Sequence, residues 1–454
     1  MEQRMKYLIK YSRVLFFIGL IALANVQANA ESGYKIEIEL SKTPTDTGYL
    51  AHFYGSKIVS VDTSIFDKQN KIVFEGAQTL RQGLYLLLAG QVKLEFIVSN
   101  QRFSIKSDFE NQSNSVVIGS VENSIYFNYK SFLYKSLLSK YSLLKTSRNP
   151  EKDLNLKNQL KALTQKVAGY KSNLFKTYPN SFASKLIKAN EFLRKKENLN
   201  KSKRELIFST IDLNDNRMLY TPYLEEAIVR YLNLTPFNPD SLVKNCDHLL
   251  ALSRLNIEVN NFVLHYLIQK FDSQNKPWFD VLYIHLNTKY VLKTLDTKSD
   301  TASIIASNIK RKQALLTGSI APEINFFDTT GQRISLHSVK AKYTLVYFWD
   351  PDCDHCKIAT PQLQSLYNKY NSTDFQVYAV STQQQYKNWA KYIASNQLTW
   401  INVWEPELIE SIYKRYQIGS TPQLFLLDSE KRILSKNISM DELMNYLNML
   451  GVKK

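Results

Sequence analysis

The chain has 454 residues, 44% of them hydrophobic and 12% aromatic, with a formal net charge of +17. At about 100–200 residues per domain this calls for several cores rather than one, and the 13 glycines and 12 prolines are too few for long disordered tracts. The densest basic run, Leu193 to Glu205, has no interleaved aromatic residues, so it reads as a solvated helix end and no nucleic-acid partner is expected.

The first segment is predicted to be an export signal over residues 1–30. Arg4, Lys6, Lys10 and Arg13 form a basic start, Val14 to Val26 is apolar, and Ala28-Asn29-Ala30 supplies small residues for cleavage. The apolar run is shorter than the roughly 20 residues that span a bilayer. A cleaved signal is therefore preferred to an uncleaved anchor, and no cysteine at the junction points to a lipid anchor. No later stretch is apolar enough to span a membrane. The mature protein is expected to be exported, periplasmic and soluble, and its positive charge suits an anionic envelope surface or acidic partners. Export changes how the 3 cysteines read. They are too few for a disulfide scaffold, so two close thiols in an oxidising compartment read as working ones.

Residues 31–120 alternate with period two in short runs such as YKIEIEL, GYLAHFYG, KIVFEG and VKLEFIVS, separated by turn-like DKQN and RQG. This predicts an antiparallel β-sandwich-like domain or a small barrel, with no catalytic constellation.

Residues 121–312 switch to a helical period. In NNFVLHYLIQKF, Val263, Leu267 and Phe271 recur every four residues, with Phe262 and Tyr266 widening the stripe. An all-α middle domain of about six to eight helices is expected. His248, His265 and His285 have no metal-ligand spacing, and Cys246 reads as a buried, inert thiol.

Residues 313–454 change again. APEINFF and QRISL predict two short strands about a turn at DTTG, and YTLVYFW (Tyr343 to Trp349) predicts a strand buried on both faces. A helix from the cysteines, a strand FQVYAVS, helices around NWAKYIAS and ELIESIYKRYQ, a hairpin QLFLLDS–KRILSKN and a closing helix from Asp441 follow. This is an α/β sandwich around a mixed sheet.

The chemistry concentrates at FWDPDCDHCKIATP, Phe348 to Pro361. A buried strand running into C-x-x-C at a helix start places Cys353 at the helix N-terminus, where free amides and the helix dipole stabilise a thiolate. Cys356 lies one turn in, close enough to close a small disulfide ring. Pro361 adds a proline inside the helix. A zinc site needs a second cysteine pair or matched histidines, which the sequence lacks, so no metal is expected. Asp350 stands where a peroxiredoxin-type peroxidase wants threonine. Neither H-E-x-x-H nor G-x-S-x-G is present, so no hydrolase is indicated.

With these residues in view, residues 315–454 resemble the exported thioredoxin-like thiol–disulfide oxidoreductases of the TlpA/ResA type (AhpC/TSA-like redoxins). The matching features are GSIAPEINFFDTTGQRISL, FW-x-x-x-C-x-x-C-K-x-x-x-x-P and IGSTPQLFLLD. The resemblance implies a C-terminal α/β thioredoxin-like fold and a cis peptide before Pro422, beside the cysteines. It also implies that Thr421 lends backbone hydrogen bonds to substrate. The upstream regions resemble, more loosely, β-rich and helical domains of unknown function found ahead of such domains. Departures are equally specific. Thioredoxin carries a buried aspartate at the position of Tyr347, and the ResA type a glutamate at the position of Ala359, so the family's proton-moving acids are both missing. Asp352 and Asp354 flank Cys353 and oppose its ionisation, while His355, when protonated, favours it.

The expected function is exchange of a Cys353–Cys356 disulfide with protein thiols and disulfides, preferentially as a reductase, with a membrane reductase as electron donor as in the family. Cys353 attacks and Cys356 resolves; His355 tunes the thiolate; Thr421 and Pro422 shape the substrate groove; Phe348 and Trp349 pack beneath the active-site turn. No cofactor beyond the disulfide is called for. The rival is an envelope binding or scaffold protein whose thioredoxin-like domain serves one client or is inactive.

Overall fold

The fold is that of a computed structural model describing residues 33–43, 45–146, 153–194, 204–236, 238–272, 279–370 and 374–452. The export signal expected over residues 1–30 lies outside the described residues. Two compact units divide the chain, one running to Glu191 with Tyr220–Tyr223 added, the other holding the rest.

In the first unit the alternating runs become eight strands: β1 (Tyr34–Leu40), β2 (Thr47–Tyr54), β3 (Lys57–Ile65), β4 (Lys71–Gly76), β5 (Gly83–Ala89), β6 (Val92–Val98), β7 (Arg102–Ser107) and β8 (Val116–Ile118). They form two four-stranded sheets, ordered β4-β1-β7-β8 and β3-β2-β5-β6. Ile36, Ile38, Phe74, Leu87, Leu94 and Phe96 are drawn from both sheets into one core, the inward half of the period-two pattern. One pair departs from the antiparallel expectation: β1 runs parallel to β7, with Ile36 opposite Phe103. A parallel pair needs a long crossover, and the strands of the second sheet provide it.

Helices α1 (Val121–Thr146), α2 (Leu154–Thr177) and α3 (Phe182–Arg194) follow. The Asn123 side chain accepts from Ile97 N–H at 2.6 Å and donates to its carbonyl at 2.6 Å. This fastens α1 to β6. Glu122 accepts from the amides of Phe182 and Ala183 at 3.0 and 2.7 Å, capping α3.

The second unit begins with helices α4 (Leu206–Thr210), α5 (Tyr223–Asn233), α6 (Pro239–Leu252), α7 (Ile257–Asp272), α8 (Phe279–Leu286) and α9 (Asp300–Gln313). The predicted stripe is the buried face of α7: Phe262, Val263, Leu267 and Phe271. Nine helices between Val121 and Gln313 are described, beyond the expected number because the five-residue α4 has no readable period. Cys246 is fully buried, and burial pushes its thiol up to about 12. His285 and Tyr290 contact Asp247 at 2.7 Å each, and Lys289 at 2.8 Å. Asp280 on α8 accepts from Lys312 at 2.9 Å and from Lys436, joining the helical layer to the C-terminal sheet through a buried charge pair.

That sheet is built from β9 (Asn325–Asp328), β10 (Arg333–Ser335), β11 (Tyr343–Trp349), β12 (Phe375–Ser381), β13 (Ile401–Trp404), β14 (Gln423–Leu427) and β15 (Ile433–Lys436). Helices α10 (Asp354–Tyr367), α11 (Tyr386–Asn396), α12 (Pro406–Tyr416) and α13 (Met440–Met449) cover it. The order is β10-β9-β13-β12-β11-β14-β15. Strands β11, β12 and β13 run parallel and β14 antiparallel to β11. Every residue of β11 is buried. The four-residue β13 escapes sequence pattern because two pleats give no periodicity. Leu345, Tyr347 and Trp349 share one core with Cys356 and α10. Val346 and Phe348 point into the core on the opposite face. Among the described residues no helix is long and apolar enough to cross a membrane.

Candidate active site

The chemistry sits where β11 ends and α10 begins. Asp350 follows the strand, and its carbonyl accepts from the Cys353 amide at 3.1 Å, closing a tight turn. Cys353 is the N-cap of α10, with extended backbone, and its carbonyl accepts the first helical bond from Lys357 at 3.0 Å. The Cys353 sulfur therefore lies over the unsatisfied amides of the first turn. Cys356 is inside the helix and fully buried, whereas Cys353 is half-buried. Both are free thiols.

The two sulfurs differ electrostatically. Partial burial works against ionisation of Cys353. Hydrogen bonds from the Thr421 side chain, from the amide and thiol of Cys356 and from the His355 amide outweigh it, and the thiol is held below its ordinary range. Burial pushes the Cys356 thiol up to about 12; the Asp350 backbone opposes this, and the neighbouring Cys353 adds to the rise. One sulfur is poised as nucleophile and the other is kept protonated.

Thr421 approaches from the opposite side. The peptide bond Thr421–Pro422 is cis, and the Cys353 thiol donates to the Thr421 carbonyl at 3.3 Å. Thr421 thus flanks the half-buried sulfur, with Pro422 next to it in the chain. The His355 imidazole is exposed to solvent, and what this residue presents to Cys353 is its amide. The flanking carboxylates are engaged elsewhere: Asp352 accepts from Gln383 Nε2 at 2.6 Å, and Asp354 pairs with Lys357 at 3.2 Å. Their opposition to the thiolate is accordingly muted.

Of the two aromatic residues expected beneath the turn, only Trp349 packs in the Cys356 cluster. Phe348 is corrected: strand residues alternate faces, and it packs against Tyr416 and Phe425 on the far side, at 5.0 and 5.9 Å between ring centres. Pro361 lies inside α10. Sequence reasoning missed Gln383, which ties the Asp350–Asp352 turn to the end of β12. It also missed Thr360, buried and 2.9 Å from the Tyr347 hydroxyl. The spacing of Thr360 four residues after Cys356 was the available signal. Among the described residues no group of three or more His, Cys, Asp or Glu side chains could hold a metal ion.

Comparisons with known proteins agree with this geometry. A family model described as thioredoxin-like matches residues 341–433. A model for a domain of unknown function (DUF4369) matches residues 34–126. The thiol-disulfide oxidoreductase ResA of Geobacillus thermodenitrificans is 24% identical over 151 residues, covering 33% of this chain and 86% of the relative. ResA of Bacillus subtilis is 23% identical over 145 residues, 31% of this chain and 78% of the relative. Among solved structures, the thioredoxin domain of a thiol-disulfide oxidoreductase from Bacteroides vulgatus is 34% identical, covering 30% of this chain and 98% of that one, with a TM-score of 0.29. A buried strand ending in a helix-capping C-x-x-C, opposite a cis proline, defines a thioredoxin-like redox domain. The C-terminal domain of this chain is thioredoxin-like, and it is similar to thiol–disulfide oxidoreductases of the ResA type.

Proposed function

We propose that the protein is an exported periplasmic reductase of protein disulfides. The observation that carries this reading is the asymmetry of the pair: Cys353 half-exposed with its thiol held low, Cys356 buried with its thiol pushed up to about 12. The Cys353 thiolate attacks a client disulfide, forming a Cys353–client mixed disulfide and releasing the other client sulfur as thiolate, which takes a proton from solvent. Cys356 loses its proton and attacks the Cys353 sulfur. The Cys353–client bond breaks, the client leaves reduced, and Cys353–Cys356 closes as the oxidised pair. Two electrons pass from the pair to the client, and an upstream donor, by family analogy a membrane reductase, restores the dithiol. Thr421 and Pro422 line the groove for the client backbone, the His355 amide supports the thiolate, and Trp349 packs beneath the turn. No metal or organic cofactor enters these steps.

The residues 1–30 pattern supports export, and the similarity to the thiol-disulfide oxidoreductase ResA supports disulfide exchange. Reduction of insulin by the full chain tests the mechanism: Cys353→Ser is expected to abolish it, and unchanged turnover would overturn the reading. A Cys356→Ser chain is expected to accumulate mixed disulfides with its clients, which a pure binding module would not form. The reduction potential of the pair tests direction, a thioredoxin-like value supporting the reductase and an isomerase-like value opposing it.

A further inference from the structure

The exchange chemistry requires Cys356 to lose a proton from a site that water does not reach, and neither Tyr347 in its cluster nor Ala359 three residues on carries an acid. What the fold puts there is a set of hydroxyls. Tyr347 on β11 is fully buried in the Cys356 cluster and lies parallel to Trp349, 6.2 Å between ring centres. Its hydroxyl is 2.9 Å from Thr360 Oγ1, with either oxygen able to donate. Thr360 is buried and follows Cys356 by four residues on α10, which places both side chains on one face of the helix. Tyr392 on α11 packs its ring on Trp349 at 5.3 Å and is only partly buried; burial raises its hydroxyl, and the Thr360 side chain opposes that rise.

Resting on the exchange reading, we propose that the Tyr347, Thr360 and Tyr392 hydroxyls form a proton relay that connects Cys356 to solvent in place of an acid. Each hydroxyl accepts one proton as it gives up another, so none becomes charged. The Cys356 proton passes to the Tyr347 oxygen, the Tyr347 proton to Thr360, the Thr360 proton to Tyr392, and the Tyr392 proton to water. The Cys356 thiolate so formed attacks Cys353 and expels the client thiolate. Burial raises the Tyr347 hydroxyl far above its ordinary range, and the nearby sulfurs add to the rise. Tyr347 therefore serves as a neutral shuttle and not as a standing base. Thr360 and Tyr347 act through Cys356 and touch no client; they are positioning residues for its proton.

A stopped-flow reaction of the reduced full chain with 5,5′-dithiobis(2-nitrobenzoate) separates the steps. The first thionitrobenzoate released reports attack by Cys353, and the second reports attack by Cys356 on the mixed disulfide. Tyr347→Phe and Thr360→Val are expected to slow the second release by about tenfold or more, within the range of general acid–base assistance. The first release is expected to stay within about twofold. Both variants are expected to lose the solvent deuterium isotope effect on the second step, and Thr360→Ser, which keeps the hydroxyl, restores rate and isotope effect together. An unchanged second release in both variants, or a Thr360→Ser chain as slow as Thr360→Val, overturns the relay and leaves the exchange reading standing. A chain with no second release before any substitution would overturn the exchange reading itself.

Discussion

The N-terminal sandwich and the C-terminal sheet use similar residues to opposite ends. In the sandwich, strands such as β1 bury every second residue and leave the rest toward solvent, and β3 is largely exposed throughout. In the C-terminal sheet β11 is buried at all seven positions, covered on both faces. A strand with two dry faces has only its ends free. At the C-terminal end of β11 the chain must turn into a helix whose first amides lack partners, and the half-buried Cys353 sulfur stands there. In the sandwich, strands β1 and β4 alternate buried with less buried positions and keep one face toward solvent. Strand burial here determines where chemistry can be placed.

The largest contrast lies between the two sulfurs at that strand end. At pH 7 a thiol of pKa about 12 is ionised in about one molecule in 10⁵. Iodoacetamide is therefore expected to modify Cys353 in a Cys356→Ser chain several orders of magnitude faster than Cys356 in a Cys353→Ser chain. The sign follows from ionisation. The Cys353 rate rises with pH and levels off below the ordinary cysteine range, while the Cys356 rate still climbs toward pH 12. Equal rates at pH 7 would dissolve the contrast.

Next comes the difference between the sheets themselves. Leu345 on β11 is 0% exposed and Val59 on β3 is 42% exposed. Leu345→Ala is expected to cost about 2–5 kcal/mol through lost burial and the cavity left behind, and Val59→Ala less than about 0.5 kcal/mol. Denaturant unfolding followed by tryptophan fluorescence reads the first, since Trp349, Trp389, Trp400 and Trp404, four of the five tryptophans, lie in the C-terminal domain. Circular dichroism reads the second.

How much of this was legible in the sequence follows from the same contrast. The alternation of β1 and the unbroken apolar run of β11 each announce how many faces are covered, so both kinds of sheet could be read. The C-x-x-C after a buried strand pointed to the turn at which Cys353 caps α10. The parallel pairing of β1 with β7 was hidden, because period-two alternation records which face a residue occupies and not which strand lies beside it. The engagement of Asp352 with Gln383 was hidden too, since it joins residues 31 positions apart. Carboxylates that looked able to oppose the Cys353 thiolate are turned to other partners, and only the tertiary structure shows it. Phe348 illustrates a rule that was available: residues adjacent in a strand face opposite ways, so it could not share the Cys356 core with Trp349.

Smaller effects test which neighbours support the thiolate. Thr421 supplies the foremost of the hydrogen bonds that lower the Cys353 thiol. Thr421→Ala removes that bond and is expected to raise the Cys353 pKa and slow its alkylation at pH 7 about three- to tenfold, the scale of one hydrogen bond to a charged group. No change would shift the whole weight to the helix terminus.

The smallest expected effect belongs to His355, and it separates two sources of stabilisation that the sequence could not tell apart. A histidine between the two cysteines can act through a protonated ring or through its backbone. The ring is exposed, where a charge is screened by water, while the amide points to the Cys353 sulfur from within the first turn of α10. Substitution by alanine deletes the ring and leaves the amide in place. His355→Ala is therefore expected to change the Cys353 alkylation rate at pH 7 by less than about twofold, the scale of a weak exposed charge interaction. Its pH profile is expected to keep a single inflection. A larger drop would show that the imidazolium supports the thiolate. The strand end would then owe its reactivity to a side chain as well as to the helix that the buried strand forces to begin there.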